Sequence, residues 1–184
     1  MSVPDSLPTF NFTAHPSVSA FAVPASDYIS ALSSKLRYRM IATGALVFSE
    51  SKKVLLVQRA SHDSMPLLWE TPGGACDDDD ASILHSAARE LWEEAGLTTV
   101  RVIGVAGEEY VFCTRNGTMV GKFTFVMEVD KGEEVKLSDE HAAYVWASNE
   151  EVLAEKVGDL KIPFTTREQK DIILKGFEFQ KGPL

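Results

Sequence analysis

The stretch from Trp69 to Leu97, WETPGGACDDDDASILHSAARELWEEAGL, constrains this chain more than any other. Its second half predicts one helix from Ser82 to Ala95. Leu84, Ala87, Ala88, Leu91 and Ala95 recur at three- and four-residue steps and make one apolar stripe. Asp80 or Ser82 can cap its start, and Gly96 stands where a left-handed C-terminal cap belongs. At about 100° per residue, Glu90, Glu93 and Glu94 fall on another face and neighbour one another. Three carboxylates held this close repel unless they share a cation, and hard oxygen ligands suit Mg²⁺ or Mn²⁺. Gly73 and Gly74 lie just before the helix, where backbone turns tightly or approaches a ligand.

This phrase resembles the Nudix hydrolases. The family pattern is a glycine, five residues, a glutamate, seven residues, then Arg-Glu-apolar-x-Glu-Glu-x-Gly-apolar. Arg89, Glu90, Leu91, Glu93, Glu94, Gly96 and Leu97 match its second half without a gap, and Trp69 to Gly74 is also family-like. The first half departs. Gly74 and Arg89 are fifteen positions apart where the pattern has fourteen, so counting back from Arg89 reaches Ala81. Counting forward from Gly74 reaches Asp80, and one inserted residue near the helix start reconciles the counts. Asp80 then either replaces the glutamate as a metal ligand or, with its three aspartate neighbours, only favours the helix N-terminus. The resemblance implies an α/β/α sandwich with a mixed, largely antiparallel sheet. It implies divalent-metal hydrolysis of a phosphoanhydride bond in a nucleoside diphosphate linked to another moiety. Glu90, Glu93, Glu94 and Asp80 are the candidate metal ligands, and Glu93, Glu94, Arg89 and Glu140 the candidate catalytic groups. Gly73, Gly74, Arg59, Trp69 and Arg39 are candidate substrate contacts. The alternative is a Nudix-fold module that binds or senses a nucleotide without cleaving it.

Charge and composition set the partners. A formal net charge of −9 argues against nucleic acid polymers and anionic membranes. It would also repel a polyphosphate, so a metal and local basic groups must reverse the field at the site. No apolar run approaches a membrane span, and the N-terminus lacks a basic start with an apolar core. Cys76 and Cys113 fit no metal spacing and no disulfide framework, so the cytoplasm is the expected compartment. The sequons at Asn11 and Asn116 are then chance matches. One domain is expected at this length, as a monomer or homodimer.

Along the chain, residues 1–38 carry four of the eight prolines and read as an irregular extension packing on a domain of residues 39–184. Within it Val18 to Val23 reads as extended and Ser26 to Leu36 as a short helix. Arg37 and Arg39 are surface charges or phosphate contacts. Ala42 to Phe48 and Val54 to Arg59 read as strands, with Arg59 either at the site or in solvent. Trp69 either stacks on a base or packs. Val100 to Ala106 reads as a strand, and an Asn-Gly turn joins a hairpin of Tyr110 to Thr114 and Lys122 to Val129. Val135 to His141 is a charged loop before a strand from Ala143 to Trp146. Ser148 to Glu151 and Thr165 to Glu168 have capping-box spacing for two closing helices. Glu140 is the family-like loop glutamate, as ligand, base or solvated charge. His85 and His141 show no ligand spacing. The family marker proline of many ADP-ribose enzymes is absent between Leu97 and Met127, and Tyr110 only loosely matches a diadenosine-polyphosphate marker.

Overall fold

A computed structural model describes residues 8–32 and 38–181. Arg37, with residues 33–36 of the expected first helix, lies outside the described residues. The strands are β1 (Thr13–Ala14), β2 (Met40–Val47), β3 (Val54–Arg59), β4 (Trp69–Glu70), β5 (Thr99–Val105), β6 (Tyr110–Cys113), β7 (Met119–Val129), β8 (His141–Ala147), β9 (Lys156–Val157) and β10 (Leu160–Lys161). The helices are α1 (Ala25–Ala31), α2 (Ile83–Ala95), α3 (Asn149–Ala154) and α4 (Arg167–Gly176).

One sheet runs β1-β5-β7-β2, with β6 also on β7; a second runs β4-β3-β8. The β1–β5 and β2–β7 pairs are parallel and the other pairs antiparallel, which is the expected mixed, largely antiparallel arrangement. Alternation along β7 divides the core. Phe123, Phe125 and Met127 join Ile41, Ala45 and Leu55 under α2, while Val126 joins Leu46, Leu56, Ile172, Ile173 and Phe177 under α4. Helices on both faces of the sheet layer make an α/β/α sandwich.

The N-terminal segment differs from expectation. Val18 to Val23 is not extended: Pro16–Phe21 forms a 3-10 helix, with Pro16 at its start and His15 Nδ1 accepting from the Ser17 N–H. Proline suits a first helical position because its missing donor has no partner there anyway. Val18 is wholly buried, and Phe21 packs on Phe123 and Phe125 with centroids 4.8 and 5.2 Å apart. α1 ends at Ala31. The first closing helix has the full capping box at Ser148 and Glu151. In the second the cap is one residue later than the spacing predicted. Thr166 accepts from the Gln169 N–H, while the Gln169 side chain turns inward to Thr71 Oγ1. No helix among the described residues is long and apolar enough to cross a membrane.

Candidate active site

Helix α2 is the site's floor. Ser82 caps it by accepting from the His85 N–H, and Gly96 ends it at φ 67°. Its apolar stripe, Leu84, Ala87, Ala88, Leu91 and Ala95, is buried in the core. Glu90, Glu93 and Glu94 are thereby carried to one open cleft of about 800 Å³.

The segment before α2 is clipped along β2. Ala45 N–H donates to Pro72 O, Thr43 N–H to Gly74 O and Cys76 N–H to Ile41 O, all at 2.8–2.9 Å. This draws Gly73 and Gly74 tightly between β2 and α2. Gly73 has φ +149°, and a Cβ there would stand 2.2 Å from Thr43 O. A Cβ on Gly74 would stand 2.6 Å from Glu90 Oε2. The glycine pair therefore makes room for the strand on one side and the carboxylate on the other. The Gly73 N–H donates to Glu94 Oε2 at 2.7 Å.

The remaining walls come from the second sheet. A register shift at Gln58/Arg59 sets Arg59 opposite His141, and the Ala60 N–H donates to Glu140 O at 2.8 Å. Bulges of this kind re-aim side chains at sheet ends. Arg59, His62, Asp63, Ser138, Asp139, Glu140 and His141 complete the lining. Glu140 is exposed in it.

Electrostatics separate the acidic groups. Glu94 is 8% exposed, and burial, with the charges of Glu90, Glu70 and Glu140 added, pushes its carboxyl up to about 9 against the Gly73 hydrogen bond. Burial pushes Glu90 up to about 7, against the pull of Arg89. Among the described residues no lysine or arginine pairs with Glu94; its one basic neighbour is His141, Nε2 4.0 Å from Oε2. Burial, then Arg59, holds His141 down to about 4, so the imidazole is neutral. A carboxyl buried without a counter-charge keeps its proton at neutral pH and ionises when a cation joins it.

Arg89 is the hub beneath. Its Nη1 donates to Glu90 Oε1 at 2.9 Å and Glu93 Oε2 at 2.8 Å. Its Nε donates to Asp80 Oδ1 at 3.0 Å and its Nη2 to Asp80 Oδ2 at 2.9 Å and Ala75 O at 3.0 Å. Burial opposes ionisation of Asp80, yet these hydrogen bonds hold its carboxyl below the usual range. As they stand, no three acidic, histidine or cysteine side chains among the described residues converge on one metal-sized point. Glu90 and Glu93 are both turned to Arg89. The donor set still fits a hard divalent ion: carboxylate oxygens on one helix face, with Glu94 uncompensated beside them.

The structure thus brings Arg59, Gly73, Gly74, Glu90, Glu93, Glu94 and Glu140 to one cleft. Four candidates stand elsewhere. Trp69 is 0% exposed in the core beside Ile162 and Ile173, so its ring has no face to offer a base. Asp80 is outside the cleft lining, both oxygens taken by Arg89 and Oδ2 also by the Asp77 N–H. Arg89 lies behind the glutamates rather than among the lining residues. Arg39 is exposed before β2, its N–H on Met119 O, and does not line the cleft. Arg59 lines it with its donors committed: Nε to Ser64 O at 2.6 Å, Nη1 to Glu70, and Nη2 to Asp63 and Ser64 Oγ. It anchors the Ser61–Leu68 loop from there. His141, Ser138, Asp139 and Asp63 join the site although sequence spacing singled out none of them as ligands. The signal available was position: all flank Glu140 or Arg59.

With this geometry, the sequence matches the NUDIX domain family over residues 38–167. A CTP pyrophosphohydrolase of Escherichia coli (strain K12) is 29% identical over 127 residues, 68% of this chain and 88% of that protein. The MutT protein of Methanosarcina mazei Go1 superposes with a TM-score of 0.61 at 27% identity, over 80% of this chain and 99% of that one. The NUDIX domain of Shewanella oneidensis NrtR, solved with ADP ribose, superposes with a TM-score of 0.58 at 20% identity, over 84% and 97% of the two chains. At that identity the likeness speaks for the fold alone.

Proposed function

The chain belongs to the Nudix family, and from that premise we propose that it cleaves a phosphoanhydride bond in a nucleoside diphosphate linked to another moiety. Family membership makes it a pyrophosphohydrolase; the substrate class and the use of Mg²⁺ or Mn²⁺ rest on the site. One observation carries the reading. Glu90, Glu93 and Glu94 of α2 and Glu140 of the loop before β8 open onto a single cleft. The name of one relative, a CTP pyrophosphohydrolase, agrees with it.

Glu90, Glu93 and Glu94 would hold the ion. When bound, a divalent ion supplies positive charge to the phosphoryl oxygens and orients them for in-line attack. The protein's own groups do the positioning. The Gly73 N–H fixes one oxygen of Glu94. Arg89, braced by Asp80, fixes Glu90 and Glu93. Glu140, exposed in the cleft, takes the proton from the attacking water. Arg59 holds the loop that carries His62 and Asp63 against the cleft. Two cysteines without a disulfide fit a cytoplasmic setting.

The test is a panel of nucleoside diphosphate derivatives with Mg²⁺ or Mn²⁺, read as phosphate released after phosphatase coupling. Turnover that stops in excess chelator and returns with metal is the expected result. Full turnover in chelator overturns the metal-dependent reading. Tight binding of a nucleoside diphosphate derivative with no turnover of any compound would instead favour a sensor.

A further inference from the structure

His141 opens β8 opposite the bulge at Arg59, and its side chain is only 3% exposed although it lines the cleft. Its Nε2 faces Glu94 Oε2 at 4.0 Å, the oxygen that also accepts the Gly73 N–H. Its Nδ1 is buried with no hydrogen-bond partner among the described residues. An unpaired buried acceptor is tolerated more readily than an unpaired N–H. The proton of the neutral ring therefore belongs on Nε2, the nitrogen that faces the carboxylate.

Resting on the functional reading above, we propose that His141 is a positioning residue for Glu94. Its Nε2–H and the Gly73 N–H together hold Oε2, which leaves Oε1 as the oxygen available to a cation. At 4.0 Å the contact is longer than a hydrogen bond, so holding Oε2 in this way requires a change in the Glu94 side chain that shortens it. A ring this buried does not reach substrate, so it acts through Glu94 rather than as a proton acceptor in the reaction. Outer partners of ligating carboxylates typically alter metal affinity by about 10–100-fold when removed. The bulge contributes to the placement: the shift at Gln58/Arg59 sets His141 opposite Arg59 at the start of β8, directly after the turn that carries Glu140.

Three variants test this. In His141→Gln the amide nitrogen reproduces the reach of Nε2, in His141→Asn it reproduces only that of Nδ1, and His141→Leu removes both. Mn²⁺ binding is measured by calorimetry without substrate, kcat and KM are measured alongside, and thermal unfolding reports the fold. The expected result is Mn²⁺ affinity weakened by about 10-fold or more in His141→Asn and His141→Leu and largely restored in His141→Gln. The loss should fall on kcat rather than KM. If His141→Leu fails to fold, the Gln and Asn pair decides. Wild-type binding with all folded variants matching it overturns this inference alone, and so does equal loss in Gln and Asn. Wild-type protein that binds no Mn²⁺ overturns the functional reading and this inference with it.

Discussion

Asp80→Asn separates a brace from a ligand. Asp80 and Arg89 meet through two hydrogen bonds of 3.0 and 2.9 Å, with both side chains 9% exposed. Removing one partner of a buried ion pair costs about 3–5 kcal/mol, because the other charge is left uncompensated. Here the cost sits at or below the low end. Arg89 keeps Glu90 and Glu93 at 2.9 and 2.8 Å, and asparagine keeps one acceptor. We expect a loss of about 2–3 kcal/mol, which for a chain of this size lowers Tm by roughly 4–12 °C. Asp77 supplies the control. It lies 3.4 Å from Arg89 Nη2 with its side chain 67% exposed, so Asp77→Asn should change stability by less than about 0.5 kcal/mol. The assay is thermal unfolding by circular dichroism in metal-free buffer at neutral pH. Equal Tm values for the two variants would refute the brace. So would an unchanged Tm in Asp80→Asn combined with a large rise in the metal concentration for half-maximal rate, which would make Asp80 a ligand.

Two further predictions concern neighbouring residues. Gly74→Ala drives a methyl into the Glu90 carboxyl, where a Cβ stands 2.6 Å from Oε2, so kcat should fall by at least ~10-fold in a protein that still folds cooperatively; unchanged kinetics would mean that Glu90 has room to move aside without consequence. The thiolate is the reactive form of cysteine, and burial pushes Cys76 up to about 11 while Cys113 is exposed. A maleimide at pH 8 should therefore label one thiol quickly, with Cys113→Ser removing that phase; fast labelling of Cys113→Ser at pH 8 would contradict the burial of Cys76.

The helix with its acidic face was legible because stripe, cap and carboxylates all lie within one continuous stretch. Gly96 reports its left-handed geometry in its own identity. The paired glycines before it were equally readable as a close approach, although what they approach, Thr43 O and the Glu90 carboxyl, comes only from the fold. Trp69 shows the opposite case. An aromatic beside Pro-Gly-Gly reads the same whether it faces a ligand or the core, and β4 pairing with β3 sends it inward. Val18 to Val23 reads as extended because an apolar run of this length satisfies a buried 3-10 turn as well as a strand; Pro16 is the discriminating residue. His141 was invisible for a different reason. Its relation to Glu94 is made by a register shift between two strands far apart in sequence, and no local spacing encodes that. Arg59 reaches Glu70 through the β3–β4 pairing and Asp63 at a four-residue spacing that reads the same for a solvated loop charge.

The most direct test of the central claim is Glu94→Gln, assayed for hydrolysis at saturating Mg²⁺ or Mn²⁺ and for thermal unfolding in one preparation. Glutamine keeps the shape and can still accept the Gly73 N–H, but it cannot ionise to give a cation the carboxylate oxygen on which the site rests. The account predicts a fall in kcat of at least ~10²-fold, the scale for losing one electrostatic stabiliser, with Tm close to wild type because the amide, like the carboxyl that burial keeps protonated, puts no charge in the metal-free site. A variant that hydrolyses its substrate at the wild-type rate with the same metal dependence would contradict it.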